Sequence, residues 1–551
     1  MIEMRTARPL PGEDNAKWVK LALAFVIVAQ VSLVFTRPVN WDESFHFHMV
    51  HAFADGRLAP GFQTLFTRVF APLAELNINA VNGVIVARVI VLCFEIGTIV
   101  AVIALASKLF DRTVGLLAGL LYISTVPVFQ HGFSFRMDSI SACLLMGALA
   151  VLLRAPLAWR WMAAFAVLAA MGGAATAKAL FYVPALAAVA WYRLHQEGYA
   201  LSALIRLTAA GLAAAMLYAL IMGWHLGFFS STAAAGDPAA PVATAGGHMF
   251  ITGLPPNIAM HIRAALQSPV MLAMIVLTPY AIVRAPRAWP EKIVFLALLL
   301  PITTLAFYRN TASYYFVFML APVAVACASS IHLVTRKVPA SAIAVLLLAL
   351  LAVPFWQENR WLIGRQRAVY ETVIALFPEP VSYFDHAGAI APYPKVNGFL
   401  TPYGMEQYRE AGVPVYRDRM EVQRVPLLID NWWLLADMLS GKDTSPFLPE
   451  DAEALRTNYI ELADPIWVAG KHIAPGAATI DEMFLVPGPY TVRGGPVRID
   501  GRLWAEGTIV EIARGPHDLS NPGTQRVTLV WGHRLTVPDS WPGPGPDWIP
   551  L

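Results

Sequence analysis

The chain has 551 residues, of which 57% are hydrophobic and only 14% are charged, and its formal net charge is +3. Because soluble globular proteins carry about 25% charged residues, this composition excludes a chain that is soluble throughout, and it excludes the disordered and disulfide-rich classes as well. The small net charge gives no electrostatic footprint for nucleic acid, so no nucleic-acid partner is expected. The three cysteines, Cys93, Cys143 and Cys327, lie in apolar runs, which argues against a disulfide framework.

Eleven apolar runs are candidate membrane-spanning helices, since such a helix needs roughly 20 mostly apolar residues. They lie near residues 19–36, 84–107, 113–129, 139–153, 161–177, 179–192, 203–224, 266–283, 293–307, 315–334 and 340–356. The two runs around Lys178 have a second interpretation, a re-entrant hairpin. The sequence predicts a polytopic α-helical membrane protein, with a membrane domain over residues 1–356.

Lysine and arginine residues occupy the N-terminal tail and alternate short loops. These clusters include Arg5 with Arg8, Lys108 with Arg112, Arg154 with Arg160, Arg284 with Arg287, and Arg336 with Lys337. Because cytoplasmic loops carry the excess of Lys and Arg, we expect a cytoplasmic N-terminus and an extracytoplasmic segment 357–551. No small-residue cleavage site follows the first span, which we interpret as a retained anchor. The long connections lie on the outside, so the working face is expected there.

The first outside loop, residues 40–58, predicts a short amphipathic helix on the membrane surface, because its apolar residues recur on one helical face. Gly56 is a natural C-terminal stop for this helix. Asp42 and Glu43 stand at its start. One interpretation is that Asp42 caps the helix and Glu43 favours the positive end of the helix dipole. The other interpretation is that the two carboxylates carry chemistry.

Several short motifs give the second interpretation its weight. They are the Asp42-Glu43 pair after the first span, Phe135-Arg136-Met137-Asp138 in the second outside loop, Thr176-Ala177-Lys178, and Tyr314-Tyr315 followed by Ala321-Pro322. In these motifs, over roughly residues 20–335, the chain resembles the GT-C class of integral-membrane glycosyltransferases. It is most similar to the branch that holds protein O-mannosyltransferases and the aminoarabinose transferase of lipid A. It departs from that branch at residues 69–73, where a Lys-Pro or His-Pro-Pro stretch is usual, so the donor sugar stays open.

The resemblance implies a GT-C-like fold in a bacterial inner (cytoplasmic) membrane. It implies a polyprenyl-phosphate sugar as donor, and an extracytoplasmic hydroxyl of a glycolipid, surface glycan or protein as acceptor. Since the leaving group is a phosphate, the reaction needs one base and no general acid. Asp42 is our candidate base for a single inverting displacement, Glu43 would orient the acceptor or bind a metal ion, and Asp138 is the second carboxylate.

Cations on the outside face are the candidates to hold the lipid phosphate, because Arg and Lys are sparse there. The substrate-binding candidates are Arg57, Arg136, Lys178 and Arg309, with Tyr314 and Tyr315. The competing interpretation is headgroup anchoring, which suits Arg37 at the end of the first span. Lys178 is interpreted as an unpaired ammonium that awaits an anion.

Other charged and polar residues have structural interpretations beside functional ones. Arg88 and Glu95 lie seven positions apart in the second span and are expected to pair with each other. His48 and His51, at i and i+3 on one helix with Asp55 nearby, are the candidate ligands of a divalent metal ion; the alternative is half-exposed imidazoles at the interface. No HExxH motif occurs, so a zincin protease is not supported.

Beyond residue 356 the long apolar runs stop. Segments 381–385, 425–429 and 465–469 predict buried strands, with helices at 404–411 and 431–440 between them, and so an extracytoplasmic α/β region over 357–485. Period-two segments then predict a small antiparallel β module over 486–551, with a hairpin turn at Asp500-Gly501. The Gly- and Pro-rich segment 233–247 predicts either a lid or a plain linker.

Two other function classes stay open at this point. A transporter or flippase for a lipid-linked or small polar substrate would show Gly/Pro-broken helices in two matching halves, and no internal repeat is visible. A non-catalytic assembly protein would leave the Asp42-Glu43 pair unexplained.

Overall fold

The structure is a computed structural model that describes residues 11–61, 63–228, 250, 255, 257–398, 402–476, 478–538, 541, 543 and 545. The segment 233–247, predicted to be a lid or linker, lies outside the described residues.

The first two thirds of the chain form a helical bundle. Its α-helices are Pro11–Thr36, Trp41–Ala54, Leu65–Phe70, Ala80–Leu109, Arg112–Ile123, Val126–His131, Met137–Arg154, Trp159–Ala175, Val183–Gln196, Leu201–His225, Ile258–Gln267, Pro269–Arg284, Trp289–Leu299, Tyr315–Ala326, Ala328–Thr335, Ala340–Gln357 and Leu362–Leu376. Short 3-10 helices cover Ala71–Glu75, Ala177–Tyr182 and Leu300–Ala306. Large apolar side chains such as Phe25 and Val276 are 65% and 70% exposed on the outside of the bundle, as expected of a surface that faces hydrocarbon.

The prediction of a polytopic membrane protein is confirmed, but its eleven spans differ in kind. By length and composition, six described helices are long and apolar enough to cross a membrane, or up to eight if two bent helix pairs each form one span. The bent pairs break at residues 267–269, by 98°, and at residues 326–328, by 49°. The other three predicted spans are helices of 12, 17 and 14 residues. Hydropathy detects apolar runs but not the breaks and short helices within them.

The helix Trp41–Ala54 is mostly buried. Eight of its 14 residues are buried, and the partly exposed side chains Trp41, Phe45, Met49 and Phe53 recur four positions apart along one face, so its place on the membrane surface stays a prediction. Its N-cap is Asn40, whose side chain accepts from the Glu43 N–H while the Glu43 carboxylate accepts from the Asn40 N–H, a capping box. Asp42 is therefore not the cap. The chain leaves the helix through Gly56, whose φ of +68° is a conformation that glycine adopts at little cost.

The C-terminal region, residues 378–545, packs two sheets with four helices. The helices are Pro402–Ala411, Val415–Val422, Trp433–Ser440 and Pro449–Asn458, and the strands are Tyr383–Phe384, Leu427–Ile429, Tyr459–Ala463, Ile466–Ile473, Ile480–Phe484, Gly488–Arg493, Val497–Ile499, Arg502–Trp504, Ile509–Ile512, Gly515–Ser520 and Val527–Trp531. Seven strands form a sheet in which Tyr383–Phe384 pairs in parallel with Leu427–Ile429 and the other pairs are antiparallel. The other four form an antiparallel sheet.

Strands on both sides of residue 485 pair in the larger sheet, since Ile466–Ile473 lies beside Val527–Trp531. The domain boundaries at residues 356 and 485 stay predictions. The hairpin expected at Asp500-Gly501 joins Val497–Ile499 to Arg502–Trp504, with φ of +48° and +78° at its two central residues.

The C-terminal half of the chain holds the helix Trp41–Ala54 in place. His48 Nδ1 lies 3.2 Å from the Ala391 carbonyl oxygen, and the Gln366 side chain bonds both the N–H and the carbonyl of Val39 at 2.8 Å. Gly388 has a φ of +81°, and a Cβ there would lie 2.6 Å from the Cβ of His48. Only a glycine lets this loop approach the helix so closely.

Candidate active site

The two neighbouring carboxylates, Asp42 and Glu43, have different environments. Glu43 is fully buried and its oxygens accept from Arg88 at 2.8 and 2.5 Å and from the Phe135 N–H at 2.9 Å. Burial alone would raise the pKa of Glu43, but the Arg88 guanidinium outweighs it and the pKa is lowered. The prediction that Glu43 orients the acceptor or binds a metal ion therefore has no support in the geometry, because its oxygens are already occupied by the protein.

The expected pairing of Arg88 with Glu95 is wrong. Besides Glu43, Arg88 donates to the carbonyls of Val34, Arg37 and Pro38 at 3.2, 2.7 and 2.8 Å, so it ties the end of the first helix to the start of Trp41–Ala54. Glu95 instead accepts from the hydroxyl of Tyr122 at 3.3 Å. Ionisable side chains inside membrane helices are usually paired. Here Arg88 and Glu95 lie on one helix, and the partner of each lies on a different helix.

Asp42 belongs to a second set of charges, which we call the ion network: Asp42, Arg136, Asp138 and Lys178. Arg136 contacts the Asp42 carboxylate through its Nη1 and the Asp138 carboxylate through its Nε at 3.2 Å. Lys178 Nζ donates to Asp138 Oδ1 at 2.6 Å. Four residues predicted from three separate motifs thus meet. Lys178 is not the unpaired ammonium that we predicted, because Asp138 neutralises it.

Two tyrosines close one side of the ion network. The Arg136 guanidinium lies 3.2 Å from the centre of the Tyr314 ring, and Lys178 Nζ lies 5.4 and 5.5 Å from the rings of Tyr314 and Tyr315. Such cation–π contacts strengthen when they are desolvated. Burial would lower the pKa of Arg136, but Asp42 and Asp138 raise it, whereas burial lowers the pKa of Lys178 against the opposing pull of Asp138. The network is a charge-balanced, nearly dry cluster.

The remaining cation candidates lie outside the ion network. Arg57 pairs with Asp55 at 2.6 Å and reaches the Pro392 carbonyl at 3.4 Å. Arg309 pairs with Glu406 at 2.7 Å, on the helix Pro402–Ala411. Both join the bundle to the C-terminal region, so the structure does not place either one beside Asp42.

The two predicted metal ligands, His48 and His51, are buried and not half-exposed. His48 is 7% and His51 8% exposed, and burial lowers the pKa of each to about 4. His51 packs its ring against Phe47 with centroids 4.9 Å apart. Among the described residues, no group of three or more His, Cys, Asp or Glu side chains could hold a metal ion.

Two cavities are lined in part by chain neighbours of the ion network. The apolar groove has a volume of about 680 Å³ and lies between the helices Met137–Arg154, Trp159–Ala175, Val183–Gln196 and Leu201–His225. Its lining includes Thr176, Ala177 and Ala179, the chain neighbours of Lys178. The polar cavity has a volume of about 220 Å³ and is lined from residues 37–40, 127–131, 260–267 and 354–359, with Ser313. The groove thus includes neighbours of Lys178, and the polar cavity includes Asn40, two residues before Asp42.

The sequence does not predict two features of this arrangement. Arg88 is expected to pair with Glu95 and not with Glu43, and Asn40 is not predicted as the cap. His46 also lies here, with its Nδ1 2.6 Å from the Asp42 carbonyl oxygen. Asn before a carboxylate pair is a helix-start signal, and it was available in the sequence. Nothing in the sequence marks which helix faces Arg88.

The chain was compared with family models, curated proteins and solved structures. No family model and no curated protein matches it. Superposition on the crystal structure of ArnT from Cupriavidus metallidurans bound to undecaprenyl phosphate covers 95% of this chain and 99% of that one, with a TM-score of 0.52. The chain is similar in fold to ArnT. The sequence identity is 13%, so the likeness is one of fold, and it confirms the GT-C-like fold that the motifs implied.

Two further solved structures are similar. ArnT in the apo state gives a TM-score of 0.51 at 14% identity and covers 75% of this chain and 93% of that chain. An oligosaccharyltransferase from Archaeoglobus fulgidus gives a TM-score of 0.44 at 13% identity, over 88% of this chain and 73% of that chain; this value is too low to carry an argument.

Proposed function

We propose that this chain is a membrane glycosyltransferase that transfers a sugar from a polyprenyl-phosphate donor to a hydroxyl at the extracytoplasmic face of a bacterial inner membrane. The observation that carries the proposal is the buried ion network, whose Lys178 is flanked in sequence by residues that line the apolar groove. The ArnT structure of the same fold is bound to undecaprenyl phosphate, a lipid of the proposed chemistry.

The donor would divide its two parts between the groove and the network. The groove is lined mainly by Leu, Ala, Val and Phe side chains, which suits a polyprenyl chain. Lys178 is flanked in sequence by lining residues of the groove, and both Lys178 and Arg136 donate to Asp138. A phosphate that reaches them would compete with Asp138 for both cations. Arg offers a planar fork to phosphate and Lys a point charge. Because Asp138 and Asp42 balance these cations when no donor is bound, the site need not bury an uncompensated charge.

The chemical step is a single displacement. The acceptor oxygen forms a bond to the anomeric carbon of the sugar, and the bond between that carbon and the phosphate oxygen breaks. The electron pair of the broken bond leaves with polyprenyl phosphate, and the acceptor proton goes to the Asp42 carboxylate. One base is sufficient, because the phosphate leaves without protonation. The sugar is inverted.

Other residues position these groups. Arg136 holds Asp42 and Asp138 in one cluster, and Glu43 with Arg88 fixes the first turn of Trp41–Ala54, on which Asp42 stands. In this proposal Asp42 is the catalytic base, Arg136 and Lys178 bind the phosphate, Asp138 sets the position of both cations, and Glu43 is a positioning residue.

Donor binding is tested with the purified full chain and undecaprenyl phosphate by native mass spectrometry. We expect Lys178→Ala and Arg136→Ala to weaken binding by about tenfold or more, since each removes a hydrogen bond to a charged group. Arg154→Ala is the matched control, because Arg154 is exposed and bonds only the Ala104 carbonyl among the contacts described. Unchanged affinity for undecaprenyl phosphate in both variants would mean that Lys178 and Arg136 do not bind the phosphate.

The transfer step is tested by complementation. Surface glycolipids and glycans of a strain without the gene are compared by mass spectrometry after expression of the wild type or of Asp42→Asn. We expect the wild type to restore the missing product. Asp42→Asn should transfer the sugar roughly 10²–10⁴-fold more slowly while it still binds undecaprenyl phosphate. Near-normal product from Asp42→Asn would contradict the role of Asp42 as the base.

A further inference from the structure

The polar cavity is lined in part by residues next to the ion network. They are Asn40, two residues before Asp42, and Ser313, directly before the Tyr314 that stacks on Arg136. Arg136 also lies close enough to His131, another lining residue, to act on it electrostatically.

The chemical character of the cavity comes mostly from carboxamides. Five of its lining residues are Asn or Gln: Asn40, Gln130, Gln267, Gln357 and Asn359. A carboxamide presents a donor and an acceptor side by side, which matches neighbouring hydroxyls on a sugar ring, each of which both donates and accepts. Asn40 and Gln130 already bond Glu43 and Glu358, so a ligand would meet Gln267, Gln357 and Asn359. A hydrocarbon ligand would leave the buried Oδ1 of Asn359 unpaired at a cost in free energy.

The charged residues of the cavity point to a ligand without high charge. Glu358 accepts from the Gln130 side chain at 2.6 Å and lies 3.5 Å from Arg37 Nε, so one carboxylate offsets one guanidinium within the wall. Arg263 is exposed and lines the cavity. The lining is thus close to neutral, with one cation available at the surface.

Two buried polar atoms of the lining lack a partner. His131 is 5% exposed, and neither its Nδ1 nor the Oδ1 of Asn359 makes a hydrogen bond within the described part of the chain. Buried polar atoms are normally hydrogen-bonded, so atoms of this kind beside a cavity indicate a ligand that completes them. Burial, reinforced by Arg37 and Arg136, lowers the pKa of His131, and a neutral imidazole offers one donor and one acceptor.

We infer that the polar cavity is the acceptor subsite and that it binds a carbohydrate: the acceptor hydroxyl belongs to a sugar ring whose other hydroxyls are held by Gln267, Gln357, Asn359 and His131. The inference rests on the proposed function and narrows the acceptor from glycolipid, glycan or protein to a sugar-bearing one.

Photolabelling in nanodiscs free of sugar-headed detergent tests the inference. The probe is an octyl glucoside with a diazirine next to the glycosidic oxygen, and the matched control probe is the octyl alcohol with the same diazirine. We expect sugar-dependent labelling within residues 260–267 and 354–359. The double variant Gln267→Leu with Asn359→Leu should reduce it about tenfold, since two hydrogen bonds are lost. Gln196→Leu, at the far end of Val183–Gln196 from Lys178, is the control and should label like the wild type.

Three results would overturn the acceptor assignment: equal labelling by the alcohol probe, unchanged labelling of the double variant, or stronger labelling of the same segments by a serine peptide with the same octyl diazirine. Binding of undecaprenyl phosphate, measured on the same samples, shows that the double variant is folded and separates the two proposals. If the wild type binds undecaprenyl phosphate but the labelling of the cavity does not depend on the sugar, only the acceptor assignment fails. If the wild type does not bind undecaprenyl phosphate, the proposed function fails, and the acceptor assignment that rests on it fails too.

Discussion

Replacement of Arg88 by leucine should be among the most destabilising single changes in the bundle. Arg88 is 1% exposed and makes five hydrogen bonds, two to Glu43 and three to backbone carbonyls of residues 34–38. Arg88→Leu removes all five and leaves the Glu43 carboxylate buried without its cation. Breaking a buried ion pair from one side costs about 3–5 kcal/mol.

The free energy of unfolding is measured by SDS titration of the full chain in mixed micelles, followed by tryptophan fluorescence. Arg154→Leu is the matched control, since exposed Arg154 loses one hydrogen bond to the Ala104 carbonyl and should cost no more than about 1.5 kcal/mol. The double variant Arg88→Leu with Glu43→Gln removes both charges, so it should cost clearly less than the sum of the two single variants.

The reasoning fails if Arg88→Leu costs no more than Arg154→Leu. It fails also if the two single costs add in the double variant, because additivity would mean that Glu43 and Arg88 do not interact in the folded protein.

Three further predictions concern the surroundings of the ion network. Gly388→Ala should lower the free energy of unfolding by roughly 1–3 kcal/mol, because Gly388 has a positive φ and a Cβ there would lie 2.6 Å from His48. Gly364→Ala is the control and should not destabilise the protein, since a Cβ at Gly364 would meet no atom within 4 Å. Equal effects of the two substitutions would contradict this prediction. Burial lowers the pKa of His46 and of His51 to about 4, so the unfolded chain binds more protons than the folded one between about pH 4 and 6.5. The free energy of unfolding should therefore fall as the pH falls through that range, by about 2 kcal/mol per histidine at pH 5. A His51→Gln variant whose unfolding free energy falls with acid as steeply as that of the wild type would refute the assignment. Arg309→Gln should cost at most about 1 kcal/mol, as exposed ion pairs do, and should leave the affinity for undecaprenyl phosphate unchanged; a tenfold loss would return Arg309 to the donor site.

The site prediction rests mainly on short motifs. Asp42, Arg136, Asp138 and Lys178 belong to the motifs in which the chain resembles the GT-C class, and for Lys178 the cost of a charge next to apolar segments adds a physical reason. The structure joins them through contacts between residues far apart in sequence: Lys178 and Asp138 are 40 positions apart. Their individual roles in binding and catalysis remain the proposals made above.

The sequence by itself determined that this is a polytopic membrane protein, roughly where its apolar helices lie, which charged residues are exceptional, and where the C-terminal strands and the Asp500-Gly501 hairpin fall. These features depend on local composition and on short-range backbone preference, which a single sequence records.

Only the tertiary structure decided which charge pairs with which, where helices break, and which residues line the apolar groove and the polar cavity. A helix in a membrane is apolar on nearly all sides, so its periodicity does not reveal which face meets its neighbour. Arg88 illustrates the difference. On its own helix the nearest carboxylate to Arg88 is that of Glu95, two turns away. Packing instead brings Arg88 to Glu43, 45 positions away in the sequence. Three backbone carbonyls at the end of the first helix complete the hydrogen bonds of Arg88 there.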